Sequence, residues 1–230
     1  MGILSEISLR IHILRYRLGV RKTLPAAAIN RVKISESGEP LVDISKCQAV
    51  FIGTDLASRG AVYVRQGVQE RLIKAAVALP DGYRLKIMSA YRPLVEQQEL
   101  WNRQMSRTRA EHPDATEAEL VKINRRLVAE PHRGFGGHQT GGAVDVTLCD
   151  ENGADLGLGK WLSTGPGISK TETQRLRRVL RHAMCGAGFV NYPAEWWHFC
   201  YGDRMWAAYS KRSKCFYGLI ESVEPTVTNE

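Results

Sequence analysis

His138 and Asp145 lie in the segment Gly137-His138-Gln139-Thr140-Gly141-Gly142-Ala143-Val144-Asp145, and fifty residues later comes Glu195-Trp196-Trp197-His198. Their types and spacing suit metal chemistry. Two imidazoles and one carboxylate can fill three corners of a zinc tetrahedron, and catalytic zinc sites stop at three protein ligands so that water takes the fourth. That count leaves Glu195 over. A carboxylate beside such a site is the usual base, because zinc lowers the pKa of its water to roughly 7, where a carboxylate can take the proton. The set reads as a mononuclear zinc hydrolase with His138, Asp145 and His198 as ligands and Glu195 as base.

Each residue taken alone has an ordinary structural explanation. His138 stands in a glycine-rich loop, where a polar side chain needs no special reason, and His198 between Trp197 and Phe199 fits a satisfied core histidine. Trp196 and Trp197 fit a core or a pocket wall. Asp145 is harder to dismiss, since it interrupts the apolar run Ala143-Val144-Asp145-Val146-Thr147-Leu148. Strands disfavour Asp, and a buried carboxylate is costly unless it is paired or bound to metal. The joint occurrence points to a site. A third segment, Ser89-Ala90-Tyr91-Arg92-Pro93, ends the apolar stretch Leu85-Lys86-Ile87-Met88 and supplies a cation where a strand gives way to a helix.

The elements that must hold these residues follow from periodicity. Val64, Val68, Leu72, Ala75 and Leu79 share a helical stripe and predict a helix over 62–79, followed by a strand over 85–89. Pro93 suits the first turn of a helix running to about residue 105. Further helices are expected at 115–129 and 171–187, and strands at 143–148 and 196–201. This layout is α+β: a small, mainly antiparallel sheet carries the zinc site, and helices pack on its other side. The glycines 136, 137, 141 and 142 let the preceding loop bend tightly and approach the metal or substrate closely. The chain divides into an N-terminal amphipathic segment (1–24), a zinc peptidase domain (25–220) and a polar, loosely ordered tail (221–230).

These segments resemble the D-alanyl-D-alanine dipeptidases of the vancomycin-resistance type, within a wider group of zinc D,D-peptidases. In that family a Tyr-Arg-Pro segment, a Ser-x-His-x-x-Gly-x-Ala-x-Asp segment and a Glu-Trp-Trp-His segment occur in this order. Matched position by position, the resemblance makes His138, Asp145 and His198 the ligands of one zinc ion, Glu195 the catalytic base and Arg92 the residue that stabilises the transition state. It spans roughly residues 54–201, including the run Gln174-Arg175-Leu176-Arg177-Arg178-Val179-Leu180 and the pair Gly188-Phe189.

The sequence departs from the family where substrate selection is expected. Gly136 stands where the family has serine, which removes a hydroxyl near the substrate's amino end. The connection between Asp145 and Glu195 is shorter and contains the turn-rich Ser163-Thr164-Gly165-Pro166-Gly167. The resemblance implies zinc-dependent hydrolysis of a small D,D-dipeptide, D-alanyl-D-alanine first. Two other readings stay open: a D,D-carboxypeptidase acting on peptidoglycan stem peptides, and a non-catalytic zinc module that binds cell-wall peptide.

Composition narrows the rest. With 230 residues, 43% of them hydrophobic, the chain can bury the core of one enzyme domain. No run approaches the ~18 consecutive apolar residues of a membrane span. Cys47, Cys149, Cys185, Cys200 and Cys215 are odd in number and form no Cys-x-x-Cys pair, so reduced thiols in a cytoplasm are expected. The net charge of +8 gathers in clusters such as Arg175-Leu176-Arg177-Arg178 on amphipathic helices, where a solvated face accounts for it, and no nucleic-acid partner is expected. No phosphate-cradling glycine motif occurs. In the N-terminal segment Ile7, Ile11, Leu14 and Leu18 recur at helical spacing, with Arg10, Arg17, Arg21 and Lys22 mostly off that stripe. Two readings fit: a helix packed on the enzyme's own core, or a basic amphipathic helix making peripheral membrane contact through residues 1–22. The segment lacks the pattern of a signal peptide, and Glu6 stands where a myristoylation signal wants Ser or Thr. Nothing in the sequence specifies an oligomeric state.

Overall fold

The computed structural model describes residues 3–19, 23–131, 137–159 and 170–220. In chain order its elements are α1 (Ile3–Arg17), α2 (Ala26–Asn30), β1 (Lys33–Ile34), β2 (Leu41–Asp43), β3 (Val50–Ile52), α3 (Thr54–Ala57), β4 (Tyr63–Arg65), α4 (Gln66–Val77) and β5 (Arg84–Ser89). There follow α5 (Leu94–Glu111), α6 (Glu117–Asn124), β6 (Ala143–Cys149), α7 (Lys170–Gly186), β7 (Val190–Asn191), β8 (His198–Cys200), α8 (Arg204–Tyr209) and β9 (Lys214–Cys215).

Strand β6 is buried along its whole length and sits at the centre of a five-stranded sheet of order β3-β5-β6-β8-β7. Successive residues of a strand face opposite sides. Val144, Val146 and Leu148 join Phe199 of β8 in the main core, with Val68 and Leu72 of α4 and Leu176, Leu180 and Met184 of α7. Helix α7 shows why: those apolar residues lie on one stripe, while Arg175, Arg178 and Arg181 are exposed. Asp145 therefore lies on the sheet face opposite the one that α4 and α7 cover. Three of the four strand pairings are antiparallel, and β3 adds a parallel edge beside β5, so the sheet is mixed.

The helix expected over 62–79 is shorter, because residues 63–65 form β4 and pair antiparallel with β2. Val62 and Val64 are buried on either side of half-buried Tyr63, an alternation at strand spacing that the helical stripe overlapped. Helix α5 runs six residues beyond its expected end, and α6 stops at Asn124 rather than 129. Thr116 and Glu119 form a capping box that fixes where α6 begins. At its end the buried Asn124 side chain bonds Thr108 and the Trp101 carbonyl, which ties α6 to α5.

A second cluster forms under α8, where Met205, Trp206 and Ala207 meet Ile29 of α2, Ala143 and Cys200. Helix α1 is present, but the stripe read as its packing face is not the one it buries: Ile7, Ile11, Leu14 and Leu18 are exposed and Leu9 is buried. Among the described residues no helix is long and apolar enough to cross a membrane. Residues 132–136, 160–169 and 221–230, with Gly136, the 163–167 turn and the expected tail, lie outside the described residues.

Candidate metal centre

His138 sits in a single 3-10 turn, Gly137–Thr140, that leads into β6. The turn is stitched to its surroundings. The Thr140 hydroxyl donates to the Gly137 carbonyl at 2.6 Å and accepts the Gly142 N–H at 3.0 Å, while Arg65 Nε donates to the Thr140 carbonyl at 2.9 Å. Gly141 has φ +70, the left-handed region that favours glycine. At Gly137 a Cβ would stand 2.4 Å from Asp203 Oδ2 and 2.7 Å from Ala143 Cβ, so only glycine lets the turn lie this close to the core.

Asp145 of β6 stands directly opposite His198 of β8 in the strand register, so their side chains share a face. Asp145 Oδ1 is 2.9 Å from His198 Nδ1, and Asp145 Oδ2 is 3.2 Å from His138 Nε2. One buried carboxylate thus bridges two buried imidazoles, and the three ligand atoms lie within 4.8 Å of one another. Burial pushes the Asp145 carboxyl upward, but the charges and hydrogen bonds of His138 and His198 outweigh it and hold the group well below the usual carboxylate range. For His198, burial disfavours the imidazolium, yet the Asp145 hydrogen bond and charge prevail and raise its pKa.

His138 resolves the tautomer question and with it the need for a cation. Its Nδ1 lies 2.9 Å from the Ala90 carbonyl, which can only accept, so Nδ1 carries the proton. The Nε2 lone pair then points at an ionised carboxylate 3.2 Å away. Two acceptors so placed repel unless a proton or a metal ion lies between them. Burial lowers the His138 pKa and so disfavours the proton. Ligand atoms at ~2.0–2.1 Å from a tetrahedral zinc ion stand about 3.3 Å apart, close to the separations seen here. The donor set fits zinc, and the Ala90 carbonyl orients the imidazole as outer partners of metal-bound histidines do.

Glu195 Oε2 lies 3.9 Å from His198 Nδ1. Burial raises its pKa, with the Asp145 charge adding to the effect and His198 opposing it. Its position depends on a residue that the sequence reading did not single out. The Asn191 amide donates to the carbonyls of Glu195 and His198, each at 3.0 Å, and of Trp196 at 3.3 Å, folding the Glu-Trp-Trp-His segment into a fixed bend. Trp196 packs against the core, stacks edge-on with Trp197 at 5.5 Å and carries Arg177 over its ring.

Arg92 is attached to the same centre from the other side. Its backbone N–H donates to the His138 carbonyl at 3.0 Å. Its guanidinium donates to Gln97 Oε1 and Ser89 Oγ, both at 3.0 Å, and Gln97 in turn donates to the Ala129 carbonyl at 2.7 Å. Burial lowers the Arg92 pKa, and the Asp145 charge acts against that. Ser89 is in register with Asp145 across β5 and β6, after a bulge at Ile87/Ser89. The structure therefore brings together all five residues named from the sequence. It adds Ser89 at the end of β5, Ala90 just beyond it, Gln97 in the first turn of α5 and Asn191 of β7, residue types that by themselves carry no signal in the sequence.

The family described as D-ala-D-ala dipeptidase matches residues 47–218. A D-alanyl-D-alanine dipeptidase of Synechocystis is 27% identical over 241 residues, covering 83% of this chain and 95% of that protein. Its counterpart in Escherichia coli is 30% identical over 132 residues, covering 54% of this chain and 58% of that one. A solved vancomycin-resistance D,D-pentapeptidase in complex with Zn(II) is similar at 20% identity and a TM-score of 0.46, over 80% of this chain and 90% of that one.

Proposed function

This chain belongs to the D-alanyl-D-alanine dipeptidase family, and on that premise we propose that it hydrolyses D-alanyl-D-alanine to two molecules of D-alanine, with one zinc ion held by His138, Asp145 and His198. The observation that carries the assignment is the pair of facing acceptors, His138 Nε2 and Asp145 Oδ2, with His198 on the carboxylate's other oxygen. Bound there, zinc supplies a Lewis acid that polarises the scissile carbonyl and lowers the pKa of water.

Glu195 takes a proton from the attacking water and delivers it to the leaving amine. A carboxylate whose pKa is raised toward the working pH is better matched to both transfers. Arg92, fixed by Ser89 and Gln97, places positive charge where the oxyanion develops. Because the guanidinium is already oriented and partly desolvated, little reorganisation is needed during the reaction. A binding module would have no use for a base and a fixed cation beside the metal, and both support a catalytic role. The five free cysteines support a reducing compartment such as a cytoplasm. Residues 25–220 form the catalytic domain in this reading.

Release of D-alanine from D-alanyl-D-alanine and from its N-acylated form, with Glu195→Ala as blank, tests the assignment. Hydrolysis of the free dipeptide alone is expected. Cleavage of the acylated form would move the assignment to a D,D-carboxypeptidase, and cleavage of neither by zinc-loaded protein would overturn it.

A further inference from the structure

Helix α1 is apolar on two faces. One face carries Leu9, which is buried, with half-buried Ile13 and Tyr16, and Tyr16 stacks edge-on against Tyr209 of α8 at 5.8 Å. The other carries Ile7, Ile11 and Leu14, continued by Leu18 one residue past the helix end, where its N–H bonds the Leu14 carbonyl at 2.9 Å; they are 50%, 51%, 54% and 69% exposed. At 100° per residue these four side chains fall within about 60° of arc, a continuous stripe that points away from the domain. Arg15 lies along one edge of the stripe and Arg10, its side chain 79% exposed, along the other.

We propose that α1 docks the protein on an anionic lipid surface, with Ile7, Ile11, Leu14 and Leu18 in the acyl boundary and Arg10 and Arg15 at the headgroups. Charge selects this occupant over a second copy of the chain. The only acid in α1 is Glu6, and it is already bonded to Arg31 and Arg10. Two stripes packed against each other would bring cationic edges together with no anion to receive them. An anionic headgroup layer supplies that anion along both edges at once. Each arginine brought to such a surface adds roughly fivefold to partitioning. The apolar stripe adds a contribution that salt does not screen. The other face of α1 stays packed on α2 and α8, so docking requires no unfolding of the domain.

The test is co-sedimentation of the full chain with phosphatidylcholine vesicles, with and without phosphatidylglycerol. Two variants are carried alongside, Ile11→Glu/Leu14→Glu and Arg10→Gln/Arg15→Gln, and near-UV circular dichroism reports their folding. Binding to the anionic vesicles is expected, weakening with salt, at least tenfold weaker in each variant, and weak on phosphatidylcholine alone. Because the substituted side chains are exposed, the spectra of the variants should match that of the parent. Equal binding of parent and folded variants would overturn the proposal, as would failure of the parent to bind anionic vesicles. A dimer seen by sedimentation velocity, lost in Ile11→Glu/Leu14→Glu and accompanied by no vesicle binding, would assign the stripe to a second copy instead. If the glutamate variant misfolds, the glutamine variant decides.

Discussion

Asp145 and His198 face each other in the β6–β8 register, and Asp145 Oδ1 lies 2.9 Å from His198 Nδ1. Ser89 occupies the matching position on the other flank of Asp145, and its hydroxyl accepts from Arg92. A single row across three strands therefore sets the separation between the carboxylate that holds both imidazoles and the cation proposed to meet the oxyanion. A site built on paired strands keeps its spacing better than one built on loops, because a register slip of one residue would turn every member of the row to the other face.

If that carboxylate is the shared anchor, Asp145→Asn should lose the metal rather than merely weaken turnover. The amide offers one neutral oxygen where the carboxylate serves two imidazoles. Zinc content after gel filtration should fall from about one per chain to well below one, and the rise in melting temperature on adding zinc should disappear, since a ligand stabilises only the folded state that binds it. A variant that retained an equimolar ion by elemental analysis would remove Asp145 from the ligand set.

Glu195 calls for the opposite pattern. It lies 3.9 Å from His198 Nδ1 and is not one of the three clustered donors, so Glu195→Gln should keep its zinc while kcat falls by roughly 10²–10⁴, the usual range for a general acid–base group. Because burial raises its pKa, the acidic limb of the kcat/KM profile should lie above the pH of an ordinary carboxylate and vanish in the variant. A limb unchanged in Glu195→Gln would assign the titration to another group.

Arg92→Ala should lower kcat by about 10²–10³ if it removes a charge aimed at the oxyanion. The structure adds a cost in stability. Removing the guanidinium leaves Gln97 Oε1 and Ser89 Oγ without their donor in a largely buried setting, worth on the order of 1–3 kcal/mol each where water cannot replace it. Arg92→Lys restores charge but cannot span both acceptors with one planar fork, so it should recover little of kcat. Near-complete recovery by lysine, read from steady-state kinetics, would show that position does not matter and charge alone does.

The clustering of His138, Asp145 and His198 was legible because a carboxylate inside an apolar strand needs a partner and two histidines accompany it in the sequence, although each histidine alone has an ordinary explanation. The start of the helix at 94 was legible from the proline before it, though not its end six residues beyond 105, and the helix at 170–186 was expected within a residue of its bounds. Strand β4 was not legible, since Val64 fits the helical stripe with Val68 and also alternates at strand spacing with Val62, and only pairing with β2 decides between them. The supports Asn191, Ser89 and Gln97 were equally hidden, because a side-chain amide or hydroxyl signals nothing until the fold sets a carbonyl or a guanidinium beside it, as the turn from β5 into α5 does for Ser89 and Gln97. In α1 periodicity found the stripe but not which way it would face, and Leu9, off that stripe, turned out to be the buried residue.

Asp203 gives a prediction that activity alone would not expose. It caps α8, where its Oδ1 accepts the Trp206 N–H at 2.7 Å, and it is only 2% exposed. Its Oδ2 has no hydrogen-bond partner among the described residues and lies against the Gly137 backbone. Burial pushes its pKa up to about 6 from an ordinary 3.8, with the Trp206 N–H and His198 pulling the other way. Between those values the folded protein holds a proton that the unfolded chain has released. The stabilisation is therefore fully present below about pH 4 and is lost as pH rises through 6. A shift of that size corresponds to about 3 kcal/mol. Asp203→Asn keeps an oxygen for the cap and cannot ionise. The stability difference between variant and parent, measured by urea unfolding at matched zinc, should move in the variant's favour from pH 4 to pH 7.5 by a few kcal/mol. A difference that stays flat across that interval would mean the Asp203 charge is compensated in the folded protein.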